Sequence, residues 1–342
     1  MSLRELLTLL AACSICAVPS ALFAEVKPTP AESARLAAET LLQDVARAGE
    51  RLVAVGDHGI IVLSDDEGRS WRQVASPVDI MLTAVAFADA SHGAAVGHDE
   101  TILATQDGGE TWQLRQFRPE AEQPLLDLWL SSDGSGIAIG AYSSVYVTSD
   151  GGANWTARPL DMHASATADG AKLAVAAEEE DLPPDYHYNA IAANSAYLYI
   201  AAEAGQVYRS DDRGLTWHSL PSPYNGSFFG VLPLAGDSVL VFGLRGNLFR
   251  SDDAGASWRA IETGTVAMIT DGVAIGDDVV LTGLSGVLLH SADGGRTFAR
   301  VQRDDRQGIA AIVTIGDRVV TVGEAGARSD PRERVPTAQV PR

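Results

Sequence analysis

A short pattern, Ser/Thr-x-Asp-x-Gly-x-x-Trp/Phe, returns six times along this chain and constrains its fold more than any other feature. Its copies are Ser64-Asp66-Gly68-Trp71, Thr105-Asp107-Gly109-Trp112, Thr148-Asp150-Gly152-Trp155, Ser210-Asp212-Gly214-Trp217, Ser251-Asp253-Gly255-Trp258 and Ser291-Asp293-Gly295-Phe298. They begin 41, 43, 62, 41 and 40 residues apart, and five of the six tryptophans close a copy of the motif. Self-similarity at a fixed period marks a stack or ring of small units, none able to bury its apolar face alone.

Each motif is preceded by two short β-rich runs joined by a glycine-rich turn. In the first unit these are Arg51 to Val55 and Ile60 to Leu63, and in the fifth Ser238 to Phe242 and Asn247 to Arg250. A further apolar run precedes each pair, such as Leu82 to Phe87 or Leu125 to Leu130. The unit therefore reads as four antiparallel strands, A to D, with the motif at the C–D turn. Four-stranded units at this period form β-propellers. A seventh unit starts near Gly308, carries Ile312 to Ile315 and Val319 to Gly323, and lacks the motif. Seven units use nearly all of the chain after residue 36, so the expectation is an all-β, seven-bladed propeller over residues 37–328.

Three segments stand outside that pattern. Residues 1–24 read as a secretory signal, because an almost wholly apolar run to Ala24 follows Arg4; an uncleaved membrane anchor is the alternative. Both cysteines, Cys13 and Cys16, lie inside it, so a chain cleaved after Ala24 has no thiol. The expected compartment is the periplasm. Residues 25–36 form an N-terminal extension, considered for an outer strand of blade seven. The long interval holds an acidic insert at about 161–188, with Glu178-Glu179-Glu180-Asp181, read as solvated. Residues 329–342, charged and broken by proline, read as a mobile tail.

Charge narrows the partners. Asp and Glu number 45 against 25 Lys and Arg, a net charge of −20. Such a chain repels polyphosphate and anionic lipid, so neither nucleic acid nor an anionic membrane surface is expected to bind it. The only lysines are Lys27 and Lys172, and no phosphate-binding loop is present.

The motif explains itself structurally. Its hydroxyl and carboxylate satisfy the turn's own backbone groups, its glycine takes a conformation costly for other residues, and its aromatic ring fills space between blades. All 24 motif residues are thus read as turn staples rather than as metal or sugar sites. A site belongs on the opposite face, where the B–C turns surround the channel mouth. These turns carry Asp57, His58, His98, Asp99, Glu100, Tyr142, Glu203, Arg245 and Glu324, and this face is the expected partner-binding surface. No ligand spacing supports a metal, no cofactor motif is present, and His92, His163, His187, His218 and His290 are scattered.

Strings such as Asp107-Gly108-Gly109-Glu110-Thr111-Trp112 match the Asp-box, or bacterial neuraminidase repeat. Combined with Ala54-Val55-Gly56-Asp57 and Ala95-Val96-Gly97, they resemble the photosystem II assembly and stability factor family over residues 37–328. That resemblance implies a seven-bladed, exported, non-enzymatic scaffold; the expected partner is a protein, a membrane complex or its precursor, and a monomer is expected. The alternative is an Asp-box glycoside hydrolase of the sialidase type or a glycan-binding propeller. Such enzymes use a Tyr–Glu nucleophile pair and an arginine cluster, whose early Arg-Ile-Pro signature is missing here.

Overall fold

The computed structural model describes residues 27–162 and 185–331. These form seven antiparallel sheets, each built from strands consecutive in sequence. Blade 1 comprises Leu42–Ala48, Arg51–Gly56, Ile61–Ser64 and Arg72–Val74, from the axis outward. Blades 2 to 6 repeat this meander, with inner strands Leu82–Phe87, Leu125–Leu130, Tyr188–Ala193, Phe228–Pro233 and Ile269–Ile275. Blade 7 has three described strands, Ile309–Ile315, Arg318–Gly323 and Arg328–Pro331. Each inner strand packs on that of the next blade, and blade 7 packs on blade 1, so the sheets close into a ring.

Closure follows from where apolar side chains point. The second strands are buried on both faces, as in Val53, Ala54 and Val55 at 0% exposure, because each blade is sandwiched between two neighbours. The buried residues divide into seven clusters, one at each blade boundary. The boundary between the chain ends joins Leu42, Leu52 and Val62 to Ala311, Val320 and Val322. Two hydrogen bonds reinforce it, from the Ala327 amide to the Ala38 carbonyl (2.8 Å) and from Ser329 Oγ to the Glu67 carbonyl (2.7 Å). Among the described residues no strand is exchanged between the ends; packing closes the ring.

Two terminal expectations change. Residues 27–36 lie beside the outer strand of blade 1, not blade 7: the Ala31 amide donates to the Ser76 carbonyl and the Ala34 amide to Gln73 Oε1. Residues 329–331, read as the start of a tail, complete a strand paired with Arg318–Gly323. Arg318 turns back over this edge strand and donates to Ser329 Oγ and to the Ser329 carbonyl, both at 2.6 Å. That contact, with Pro331, blunts the outer edge that blade 7 presents among the described residues. The acidic run Glu178 to Asp181 lies outside the described residues. Trp217, in blade 4, donates its amide to the Asp161 carbonyl just before them (2.8 Å).

The glycine ending each Ala-Val-Gly run has a steric cause. At Gly56 the backbone is extended, but a Cβ would lie 2.3 Å from the Leu41 carbonyl oxygen; at Gly97 the same clash is with Met81, at 2.2 Å. The B–C turn folds down onto the carbonyl that precedes its own inner strand, and the next amide donates to it. Asp57 N bonds Leu41 O (3.1 Å), His98 N bonds Met81 O (3.0 Å) and Glu324 N bonds Gly308 O (3.0 Å). The repeated glycine thus sets how close the turns come to the channel.

Candidate functional site at the channel mouth

The two faces are built differently. On one, the six Asp-boxes form the same hydrogen-bonded turn. In the box at Thr105, the hydroxyl donates to Asp107 Oδ1 (2.9 Å) and accepts the Gly109 amide (2.9 Å). Asp107 also takes the Thr111 amide and hydroxyl (2.9 and 2.6 Å), while Trp112 Nε1 donates to the Gly109 carbonyl. The Ser70 hydroxyl and amide pull Asp66 down to about 2, and Asn154 and Ser257 lower Asp150 and Asp253. At Asp107, Asp212 and Asp293 burial works upward, but hydrogen bonds from Thr111, Thr216 and Thr297 outweigh it. Every acceptor is already engaged within its own turn.

On the other face one backbone turn displays varied side chains. His58, Tyr142, Ala204, Arg245 and Ser285 sit at equivalent points with φ between 51° and 58°, the left-handed region unusual for residues with a Cβ. In blade 2 Asp99 and Glu100 take this conformation together.

The structure separates the nine predicted face residues. His58, His98, Tyr142, Arg245 and Glu324 are exposed, while Asp57, Asp99 and Glu203 are half-exposed. Tyr142 meets His187 edge-to-face at 4.8 Å, and Glu203 accepts the His187 backbone amide (3.2 Å), so these three form one cluster across blades 3 and 4. Glu324 accepts the Gly308 amide (2.7 Å). Glu100 corrects the reading of the face: it is 4% exposed, between blades 2 and 3. Its carboxylate accepts from the Tyr146 hydroxyl (2.7 Å) and Ser144 Oγ (3.0 Å), with Arg118 3.5 Å away. That network explains an acid in a surface-like string: the left-handed backbone turns it inward.

What the sequence did not reveal is an apolar sector. A pocket of about 280 Å³ opens at the mouth between blades 5, 6, 7 and 1, lined by Leu41, Phe229, Met268, Leu284 and Ala310, with Gln43 and Glu324 as polar rim. Leu244 and Leu284 stand 37% and 40% exposed on adjacent turns, with Val266 at 86% between their blades. The acidic and aromatic sector of blades 1 to 4 thus faces an apolar one across the mouth. The pocket continues into the channel, a cavity of about 300 Å³, since Gln43, Phe229, Thr270 and Ala310 line both. The signal available was Phe229 and Met268 at the starts of apolar runs, where they read as core. Among the described residues no group of three or more His, Cys, Asp or Glu is placed to hold a metal ion.

A closed ring of seven blades with Asp-box turns on one face and a half-apolar mouth on the other defines an Asp-box propeller. The family model described as photosynthesis system II assembly factor YCF48 matches residues 63–123 and 116–274, more than half of the chain, and the protein belongs to that family. A stretch of 61 residues is 41% identical to the photosystem II stability/assembly factor HCF136, chloroplastic, of Cyanidioschyzon merolae (strain NIES-3377 / 10D). That stretch covers 17% of this chain and only 14% of that relative. Among solved structures, YCF48 bound to D1 peptide superposes with a TM-score of 0.66 at 18% identity, over 88% of this chain and 98% of that one. YCF48 from Cyanidioschyzon merolae gives 0.65 at 14% identity, over 90% and 100%. The WD40 propeller domain of Doa1 gives 0.62 at 10% identity, over 89% and 95%, so these superpositions speak for the fold alone.

Proposed function

We propose that this protein is a non-enzymatic scaffold that holds an extended segment of a membrane protein, or of its precursor, at the mouth of the channel. Membership of an assembly-factor family carries the reading. The mouth supports it: an apolar pocket lined by Phe229, Met268 and Leu284 sits beside a polar sector bearing Tyr142, His187 and Glu203. An apolar anchor in a pocket ringed by polar contacts is how proteins grip short segments. That a YCF48 protein has been solved with a D1 peptide makes a segment of that kind the first candidate. The protein acts as a monomer in the periplasm, exported by residues 1–24. The family match lends no weight to the glycoside hydrolase alternative.

The test is capture of partners by tagged protein from gently solubilised envelopes, with titration of a labelled D1-type peptide. Leu284→Glu and Met268→Glu each place a charge in the pocket and should weaken binding by about tenfold or more. Asp150→Ala, on the opposite face, should leave it unchanged. Equal binding by all three variants would refute the mouth as the site, and no membrane-protein partner would refute the scaffold reading itself.

A further inference from the structure

Every inner strand carries a β-bulge where it passes the channel; in blade 1 it falls between Leu42 and Asp44, and in blade 6 between Ile269 and Asp271. The residue after the bulge is Asp in blades 1, 3 and 6 (Asp44, Asp127, Asp271) and Ala or Gly in the other four. Each of these carboxylates spans a blade boundary. One oxygen accepts the following amide of its own strand, from Val45, Leu128 or Gly272, at 2.7 Å. The other accepts an amide from the next blade, from Val85, Ile191 or Ile312, at 2.8 Å. All three line the same cavity of about 300 Å³, walled by groups such as Leu126, Ala190 and Phe229.

We propose that Asp44, Asp127 and Asp271 form a proton-controlled latch at the axis: each bridges two blades through the amides it accepts, and when all three are ionised their mutual repulsion across the channel loosens the inner strands. Among the described residues no cation faces them, and the cavity lining holds no other charged side chain. On the inner strands the other ionisable groups are Arg47, which turns out to the Gly49 carbonyl and Glu50, and Tyr188, packed on Tyr208. On the second strands Arg51 pairs with Asp65 and Glu110, Asp278 with His290, Arg318 is spent on Ser329, and Tyr199 packs on Tyr197. At the mouth, Glu324 is held by the Gly308 amide.

Burial, against the two amides each accepts, raises Asp44 to about 6 and Asp271 to about 7, the latter with repulsion from Asp44. Burial also pushes Asp127 well above the usual range, with repulsion from Asp44 and Asp271 adding to it. Unfolded, the same groups titrate at about 3.9. A folded value above the unfolded one contributes stability in full below about pH 4, lost as pH rises through the folded values. The latch therefore opens between about pH 5 and 8.

The experiment uses the whole chain. Hydrogen exchange at the Val85, Ile191 and Ile312 amides, corrected for intrinsic rates, should lose tenfold or more protection between about pH 5 and pH 8. Melting temperature should fall by about 5 °C or more over that range, and the protonated-carboxyl band in infrared spectra should vanish with it. In Asp44→Asn/Asp127→Asn/Asp271→Asn the pH slope and the band should be absent. Should that variant fail to fold, single Asp271→Asn and the wild-type band decide. A wild-type chain with no protonated carboxyl at pH 5, or variants with the wild-type slope, would overturn the latch.

Discussion

The molecule carries two rings of aspartates that titrate in opposite directions. The outer six, in the Asp-boxes, accept amide and hydroxyl hydrogen bonds at the surface and are held below the usual range. The inner three also accept two amides each, yet are raised. An outer carboxylate takes an amide and two side-chain donors, as Asp107 does from Thr111 and Thr105, whereas an inner one takes two amides only, and the solvent differs as well. Water surrounds an outer carboxylate and stabilises its charge, whereas an inner one faces a narrow cavity and two like charges. Outer and inner ring thus set opposite limbs of the stability profile: the outer fails in acid, the inner toward alkaline pH.

The largest effect expected is at the foot of an outer turn. Trp217 is 1% exposed, and Trp217→Ala should cost about 3–5 kcal/mol in urea unfolding, because a large cavity opens between blades 3 and 4. A cost near that of a surface substitution would show that the boxes do not staple the ring.

Next comes the carboxylate above it. Asp212 accepts the Ser210 hydroxyl and both the amide and hydroxyl of Thr216, so Asp212→Ala should cost about 1–2 kcal/mol near neutrality. Its lowered folded value means the contribution is present above about pH 4 and lost as pH falls. The gap between wild type and variant should therefore close toward about pH 2 in pH-resolved unfolding. A gap that holds in acid would mean that the charge is irrelevant.

Thr83 tests the inner ring without a charge. Its hydroxyl reaches the Leu125 carbonyl of the next blade at 2.7 Å, doing for blades 2 and 3 what Asp44 does for blades 1 and 2. Thr83→Val should cost about 1 kcal/mol, equally at about pH 5 and pH 8. A pH-dependent cost would show that titration at the channel does not belong to the carboxylates alone. The smallest effect is at the mouth: His58 is exposed, and His58→Ala should change the melting free energy by less than about 0.5 kcal/mol. A larger loss would make the turn face structural rather than a surface for binding.

How much of this was legible depends on whether a residue's neighbours are close in sequence. The Asp-boxes could be read because Ser64, Asp66, Gly68 and Ser70 bond one another within a single turn. The B–C turns could be located for the same reason, and eight of the nine residues predicted there are partly or fully exposed. Glu100 could not be, since the groups that bury it, Tyr146 and Ser144, come from the next blade. The apolar pocket was hidden similarly. Phe229 is the second residue of its strand and Met268 directly precedes one, and only closure of blades 5, 6, 7 and 1 around the axis leaves them facing an opening.

The amino-acid sequence by itself determined the blade, the number of blades and the turn chemistry, because all three are set by contacts within one period of about 41 residues. Only the tertiary structure decided which side chains share the channel. Asp44, Asp127 and Asp271 are 83 and 144 residues apart along the chain, and each alone is an unremarkable acid in a strand. Ring closure brings all three to one axis, and at that distance desolvation and like charge, which no local pattern encodes, set their behaviour.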